Sequence, residues 1–117
     1  VLRGAAEAGA AYVDIELDAI SSAGLKEQPL PASTKLIVSH HNFEKTLSKA
    51  ELKQLEQRMR DAGADIAKLA MTANDICDSW TMLQLLKESS GKWTHIFHFN
   101  HSLTPLATHL HASKANG

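Results

Sequence analysis

Lys68 stands in the middle of an otherwise apolar stretch, Gly63-Ala64-Asp65-Ile66-Ala67-Lys68-Leu69-Ala70-Met71. A strand covered on both faces is almost uniformly apolar, so a cation inside one needs a reason. Burial favours the neutral amine, which is the nucleophilic form. The chemistry that uses such a lysine is carbinolamine and Schiff-base formation with a ketone or aldehyde. The plainer alternative is a lysine near a strand end whose ammonium reaches out to water. What favours the chemical reading is a set of polar residues at alternating positions in two other strand-like stretches. These are Asp14 and Glu16 in Tyr12-Val13-Asp14-Ile15-Glu16-Leu17, and Ser39 and His41 in Lys35-Leu36-Ile37-Val38-Ser39-His40-His41.

The elements that must position these residues follow from period and punctuation. Residues 1–9 read as the last turns of a helix ended by Gly9. In the first strand Val13, Ile15 and Leu17 share one face, and Tyr12, Asp14 and Glu16 the other. A helix start is expected at residues 18–24, before Gly24, Pro29 and Pro31 impose a loop. After the second strand, Ser48-Lys49-Ala50-Glu51 fits a capping box. Leu52, Leu55, Met59 and Ala62 then recur at helical spacing up to Gly63. Asn74-Asp75 caps a further helix through about Lys87, with Ile76, Trp80, Leu83 and Leu86 as its expected apolar stripe. Trp93–Phe97 is a candidate fourth strand.

Alternating strands and helices at this spacing point to a parallel sheet in an α/β fold. Asp14, Glu16, Ser39, His41, Lys68 and Thr72 would face one way, and Ile15, Val38 and Leu69 would face the covering helices. Polar residues gathered on one face suit the interior of a (β/α)8 barrel, whose C-terminal mouth gathers catalytic groups. The expected architecture is therefore a fragment of a (β/α)8 TIM barrel, about three to four βα units. Its 117 residues are under half of the ~250 typical of the whole fold. A formal net charge of −1 gives no argument for nucleic acid or an anionic membrane. No apolar run approaches a membrane span, and the first residues lack a signal-peptide pattern. The chain starts without Met, so a processed product or a fragment is expected. Cys77 is the lone cysteine, which fits a reducing compartment and, without a readable base partner, a packing role.

Three stretches together resemble type I 3-dehydroquinate dehydratase. Ser39-His40-His41-Asn42-Phe43-Glu44-Lys45-Thr46 is similar to that family's S-x-H-[DN]-[FY]-x-x-T. Gly63–Ala70 is similar to G-A-D-[IL]-x-K-[IL]-A, and Tyr12–Leu17 to [YV]-[VI]-D-[ILV]-E-L. The order and the separation of His41 from Lys68 also agree. The resemblance implies that these are the fourth, fifth and sixth strands of the barrel. It implies that Lys68 forms the imine with the substrate ketone and that His41 is the general acid–base. Glu16, Asp14 and Ser39 are expected to bind the substrate, and a structural hydrogen-bonding role is the alternative for the carboxylate pair. The reaction implied is dehydration of 3-dehydroquinate to 3-dehydroshikimate, with no cofactor and no metal. It also implies a soluble enzyme of chloroplast or cytoplasm, with a homodimer and an appended shikimate dehydrogenase as further expectations.

The departures are equally specific. The family's strands bearing E-W-R and an arginine–glutamate pair are absent, as are its later serine–arginine segment and C-terminal glutamine. Leu47 replaces the proline usual after the threonine. Residues 1–91 are expected to be barrel sequence and 92–117 an unrelated, loosely structured tail. Within that tail His95, His98, His101, His109 and His111 raise metal binding as a rival function. His40 should point toward the helices and is read as structural. A class I aldolase would use the same strand lysine, and an inactive truncated remnant is a third reading.

Overall fold

The computed structural model describes residues 2–89, 93–99 and 108–112, with side chains described for residues 3–89. Helix α1 (Leu2–Glu7) leads through Gly9, in the left-handed region at φ 92°, into strand β1 (Tyr12–Glu16). A 3-10 helix over Leu17–Ala23 takes the place of the expected helix start. Strand β2 (Lys35–Asn42) leads to helix α2 (Lys49–Asp61), β3 (Ile66–Thr72) to helix α3 (Ile76–Glu88), and β4 is Trp93–Phe99. Strand β5 is Thr108–Ala112. The sheet order is β1-β2-β3-β4-β5, parallel through β4, with β5 antiparallel to it. Strand β4 stands at the candidate fourth strand, Trp93–Phe97, and runs on to Phe99.

The register is fixed by contacts at the strand entrances. The Leu36 amide donates to Asp65 Oδ2 and the Asp65 amide to the Leu36 carbonyl, each at 2.9 Å. Asp65 therefore ties the start of β2 to the turn before β3. Thr34 does the same for β1, its hydroxyl donating to the Ala10 carbonyl at 2.9 Å. Because side chains alternate along a strand, Val13, Ile15, Leu36, Val38 and Leu69 all bury against the helices. Leu52, Leu55 and Met59 of α2, and Met82 and Leu85 of α3, close that layer.

Both helices are capped as their sequences require. Ser48 and Glu51 form the reciprocal capping box of α2, and Gly63 follows its end with φ 92°. At α3, Asp75 accepts from the amides of Cys77 and Asp78, and Asp78 completes the box. The packing face of α3 differs from expectation. Ile76 and Trp80 are 85% and 62% exposed and Leu83 is exposed, whereas Met82 and Leu85 are fully buried. The helix has two apolar flanks, and only the one facing α2 and the sheet has a neighbour among the described residues. Cys77, expected to pack, is exposed in the first turn of α3. Among the described residues no helix is long and apolar enough to cross a membrane.

Candidate active site

Pairing of the three strands sets the site. Glu16 lies in register with Ser39, and Ser39 with Lys68; His41 is one step further along the same face of β2, opposite Ala70. The polar residues singled out by alternation are in fact joined. Lys68 Nζ donates to Asp14 Oδ2 at 3.0 Å. The Ser39 hydroxyl lies 2.6 Å from Asp14 Oδ1 and 3.0 Å from Glu16 Oε2. His41 Nδ1 lies 2.9 Å from Glu16 Oε1. A carboxylate accepts only, so this geometry places a proton on Nδ1 and leaves Nε2 of the neutral ring as its basic nitrogen.

Burial separates the members. Ser39 is 2% exposed, enclosed between the two carboxylates. The Lys68 side chain is 25% exposed and that of His41 29%, and their partners Asp14 and Glu16 are more open still at 39% and 44%. Only the Ser39 hydroxyl is therefore buried, and both charged pairs are reachable from solvent. Phe43 stacks on the His41 ring, with centroids 5.9 Å apart and planes at 10°. At 73% exposure it overhangs the face that holds the site.

The loop following His41 is held from the neighbouring strand. Asn42 Oδ1 accepts from the amides of Glu44 and Lys45, turning the chain immediately after β2. The Thr72 hydroxyl, in a residue 3% exposed, donates to the Asn42 carbonyl at 3.1 Å. In return the Thr46 hydroxyl donates to the Thr72 carbonyl at 2.9 Å. In the sequence Thr72 stands out only as a member of the polar face, four residues beyond Lys68 on the same side of the strand, and Phe43 only as a motif position. His40 is in register with fully buried Leu69, on the helix side of the sheet.

With this arrangement in hand, comparison with known proteins is specific. The sequence model of type I 3-dehydroquinase matches residues 1–100. The chain belongs to the type I 3-dehydroquinase family. It is 39% identical over 94 residues to the 3-dehydroquinate dehydratase of Desulfotalea psychrophila, covering 79% of this chain and 42% of that protein. It is 41% identical over 91 residues to the chloroplastic bifunctional 3-dehydroquinate dehydratase/shikimate dehydrogenase of Arabidopsis thaliana, covering 76% and 15%. Among solved structures, 3-dehydroquinate dehydratase from Enterococcus faecalis superposes with a TM-score of 0.65 at 26% identity, over 84% of this chain and 43% of that one. The type I enzyme of Clostridium difficile gives a TM-score of 0.68 at 21% identity, over 83% and 41%, and supports the fold. The chain is a parallel α/β portion of the type I dehydroquinase barrel, and it spans 42% of the Desulfotalea protein.

Among the described residues no group of three or more histidine, cysteine or acidic side chains is placed to hold a metal ion. The side chains of His95, His98, His109 and His111, and the whole of His101, lie outside the described residues.

Proposed function

We propose that this chain supplies the imine-forming lysine and the acid–base histidine of a 3-dehydroquinate dehydratase. That enzyme is a hydro-lyase converting 3-dehydroquinate to 3-dehydroshikimate and water on the route to aromatic amino acids. The observation that supports it most is that Lys68 and His41 occupy one sheet face and are linked through Asp14, Ser39 and Glu16. The neutral Lys68 amine attacks the substrate ketone, and the carbinolamine takes up a proton from solvent and loses water to give a protonated imine. That cation draws electrons from the neighbouring carbon, so His41 Nε2 can remove its proton. The resulting imidazolium returns a proton to the departing hydroxyl, and hydrolysis of the imine frees Lys68.

In this reading Asp14 steadies the Lys68 ammonium and Glu16 sets the His41 ring, rather than both binding substrate directly. Ser39, at 2% exposure between the two carboxylates, holds their geometry in this reading. The groups that hold the substrate carboxylate and hydroxyls belong to family strands this stretch does not contain. Positioning contributes up to about 7–11 kcal/mol of barrier lowering, so the 117-residue chain by itself should form the imine but turn over very slowly. We further propose that the barrel portion extends through Phe99, since β4 pairs with β3 along its whole length and the family match reaches residue 100. A homodimer and a chloroplast or cytoplasmic site of action complete the proposal, the Arabidopsis relative being chloroplastic by name.

Borohydride reduction in the presence of 3-dehydroquinate, followed by mass spectrometry, tests the assignment. A label is expected on Lys68 and its loss in Lys68→Ala. Labelling elsewhere, with Lys68 unmodified, would overturn it. Ultraviolet absorbance separates the aldolase alternative, because only dehydration yields the conjugated enone.

A further inference from the structure

The two catalytic ends of the site are joined by one hydroxyl. Ser39 Oγ contacts Asp14 Oδ1 at 2.6 Å and Glu16 Oε2 at 3.0 Å, yet a hydroxyl has a single hydrogen to give. Two acceptor carboxylates therefore compete for that hydrogen in a residue that water barely reaches. Each competitor is also bound to a reacting group, Asp14 to Lys68 and Glu16 to His41. Whatever changes the charge on one end changes how strongly its carboxylate claims the hydrogen. Hydrogen bonds that share a buried hydroxyl polarise one another, here through Ser39 between two carboxylates that are themselves 39% and 44% exposed.

We propose that Ser39 is a positioning residue that couples the charge on the Lys68 nitrogen to the proton on His41 Nδ1. The proposal rests on the roles given above to Lys68 and His41. While the Lys68 nitrogen is positive, as ammonium or protonated imine, Asp14 is balanced and the hydroxyl hydrogen is shared toward Glu16. Glu16 then holds the His41 Nδ1 hydrogen less tightly, and the imidazolium is the better acid. When the nitrogen is neutral, Asp14 takes the hydroxyl hydrogen and Glu16 turns fully to Nδ1. The ring is then the stronger base, a bias that acts before the imine forms and not at the later removal of the carbon-bound proton. No covalent bond changes at Ser39, and the hydrogen stays on Oγ throughout.

The test is a double-mutant cycle read on the 117-residue chain by nitrogen-15 magnetic resonance at one fixed pH. The observable is the shift difference between the two ring nitrogens of His41, which reports how fully Nδ1 holds the proton. His95 and His111, whose backbone positions are in register with Lys68 across β4 and β5, are both replaced by Gln throughout. Asp14, Glu16 and the stacked Phe43 are retained in every variant. Lys68→Met should change the His41 shift difference when Ser39 is present. In Ser39→Ala the same replacement should produce a change smaller by about twofold or more. Ser39→Cys, close in size but a weak donor, should behave like Ser39→Ala and serves where the alanine variant fails to fold. An equal response to Lys68→Met with and without the hydroxyl would overturn the coupling. Failure of imine trapping would instead overturn the dehydratase reading, so the two outcomes are separate.

Discussion

At the residue scale, the chain's two most chemically informative side chains were legible for opposite reasons. Lys68 was visible because an apolar stretch leaves a cation conspicuous. His41 was visible because alternation set it on the polar side of its strand, and the family resemblance then gave it a role. Their partners were less accessible to reading, since the Asp14–Lys68 contact joins residues far apart in the chain and depends on strand register. A different ion cluster on the helical side illustrates the same limit. Glu88 receives hydrogen bonds from Lys49 and then Lys53, which hold its carboxyl down at about 2. The folded value lies below the ordinary 4.5, so the stabilisation is present above about 4.5 and is lost as the pH falls toward about 2. A titration of the Glu88 carboxyl carbon at low ionic strength should show this low inflection. Because the group is exposed, 1 M salt, where the Debye length is about 3 Å, should move the inflection upward. An ordinary carboxylate inflection at low salt would remove the cluster.

At the element scale, punctuation was more reliable than amphipathic pattern. The capping box of α2, the Asp75 cap of α3 and the Gly63 stop are each local, and each stands where the sequence put it. Of the stripe expected for α3 only Leu86 packs against the core, because periodicity reveals an apolar flank without saying which neighbour covers it. Ile76, Trp80 and Leu83 recur at helical spacing yet are exposed, whereas Met82 and Leu85 are fully buried beside Leu86. In a closed barrel a helix has a neighbour on each side, and the flank bearing Trp80 is the one this portion leaves uncovered. The cap can be tested alone. Asp75→Ala removes the acceptor for the Cys77 and Asp78 amides and should destabilise by about 0.5–2 kcal/mol. In a domain of this size each kcal/mol corresponds to roughly 4–8 °C of Tm. Asp75→Asn should recover most of the loss. An unchanged Tm in Asp75→Ala would show that α3 is held by packing alone.

At the scale of the whole molecule, four parallel strands make an open sheet in which β1 is an edge and the site face lacks the opposing wall of a complete barrel. An unpaired edge is a template for another copy of the same strand. Amide hydrogen exchange measured at two protein concentrations tests both ends of the sheet together. Residues 93–99 should be protected comparably to 66–72, as expected of a strand continuing the barrel. Amides of 12–16 should gain protection as concentration rises, through pairing of copies. Free-peptide exchange at 93–99 would restore the division at residue 91, and concentration-independent exchange at 12–16 would exclude edge pairing. The barrel class was readable because the polar residues fell on one face of three strands. The fourth strand was readable at Trp93–Phe97, where β4 lies, but the antiparallel β5 was not, because the residues after Phe97 are poorly patterned.

The reciprocal hydrogen bonds between Thr72 and the loop at Asn42 and Thr46 make β3 a measuring stick. Lys68 and the anchor for the histidine's loop are on the same strand, separated by a fixed number of pleats. A residue inserted between Lys68 and Thr72 would turn the threonine to the helix side and cut the loop adrift, even though neither Lys68 nor His41 had been altered. Insertions between β1 and β2, by contrast, fall in the long connection over residues 17–34 and leave that spacing untouched, at a cost set by whether they displace Leu17, Ile20, Ala23, Leu25 or Leu30 from the core. Tolerance of length change is therefore uneven along the chain: greatest at exposed turns of that connection, and nil across the few residues that set the distance from Lys68 to His41.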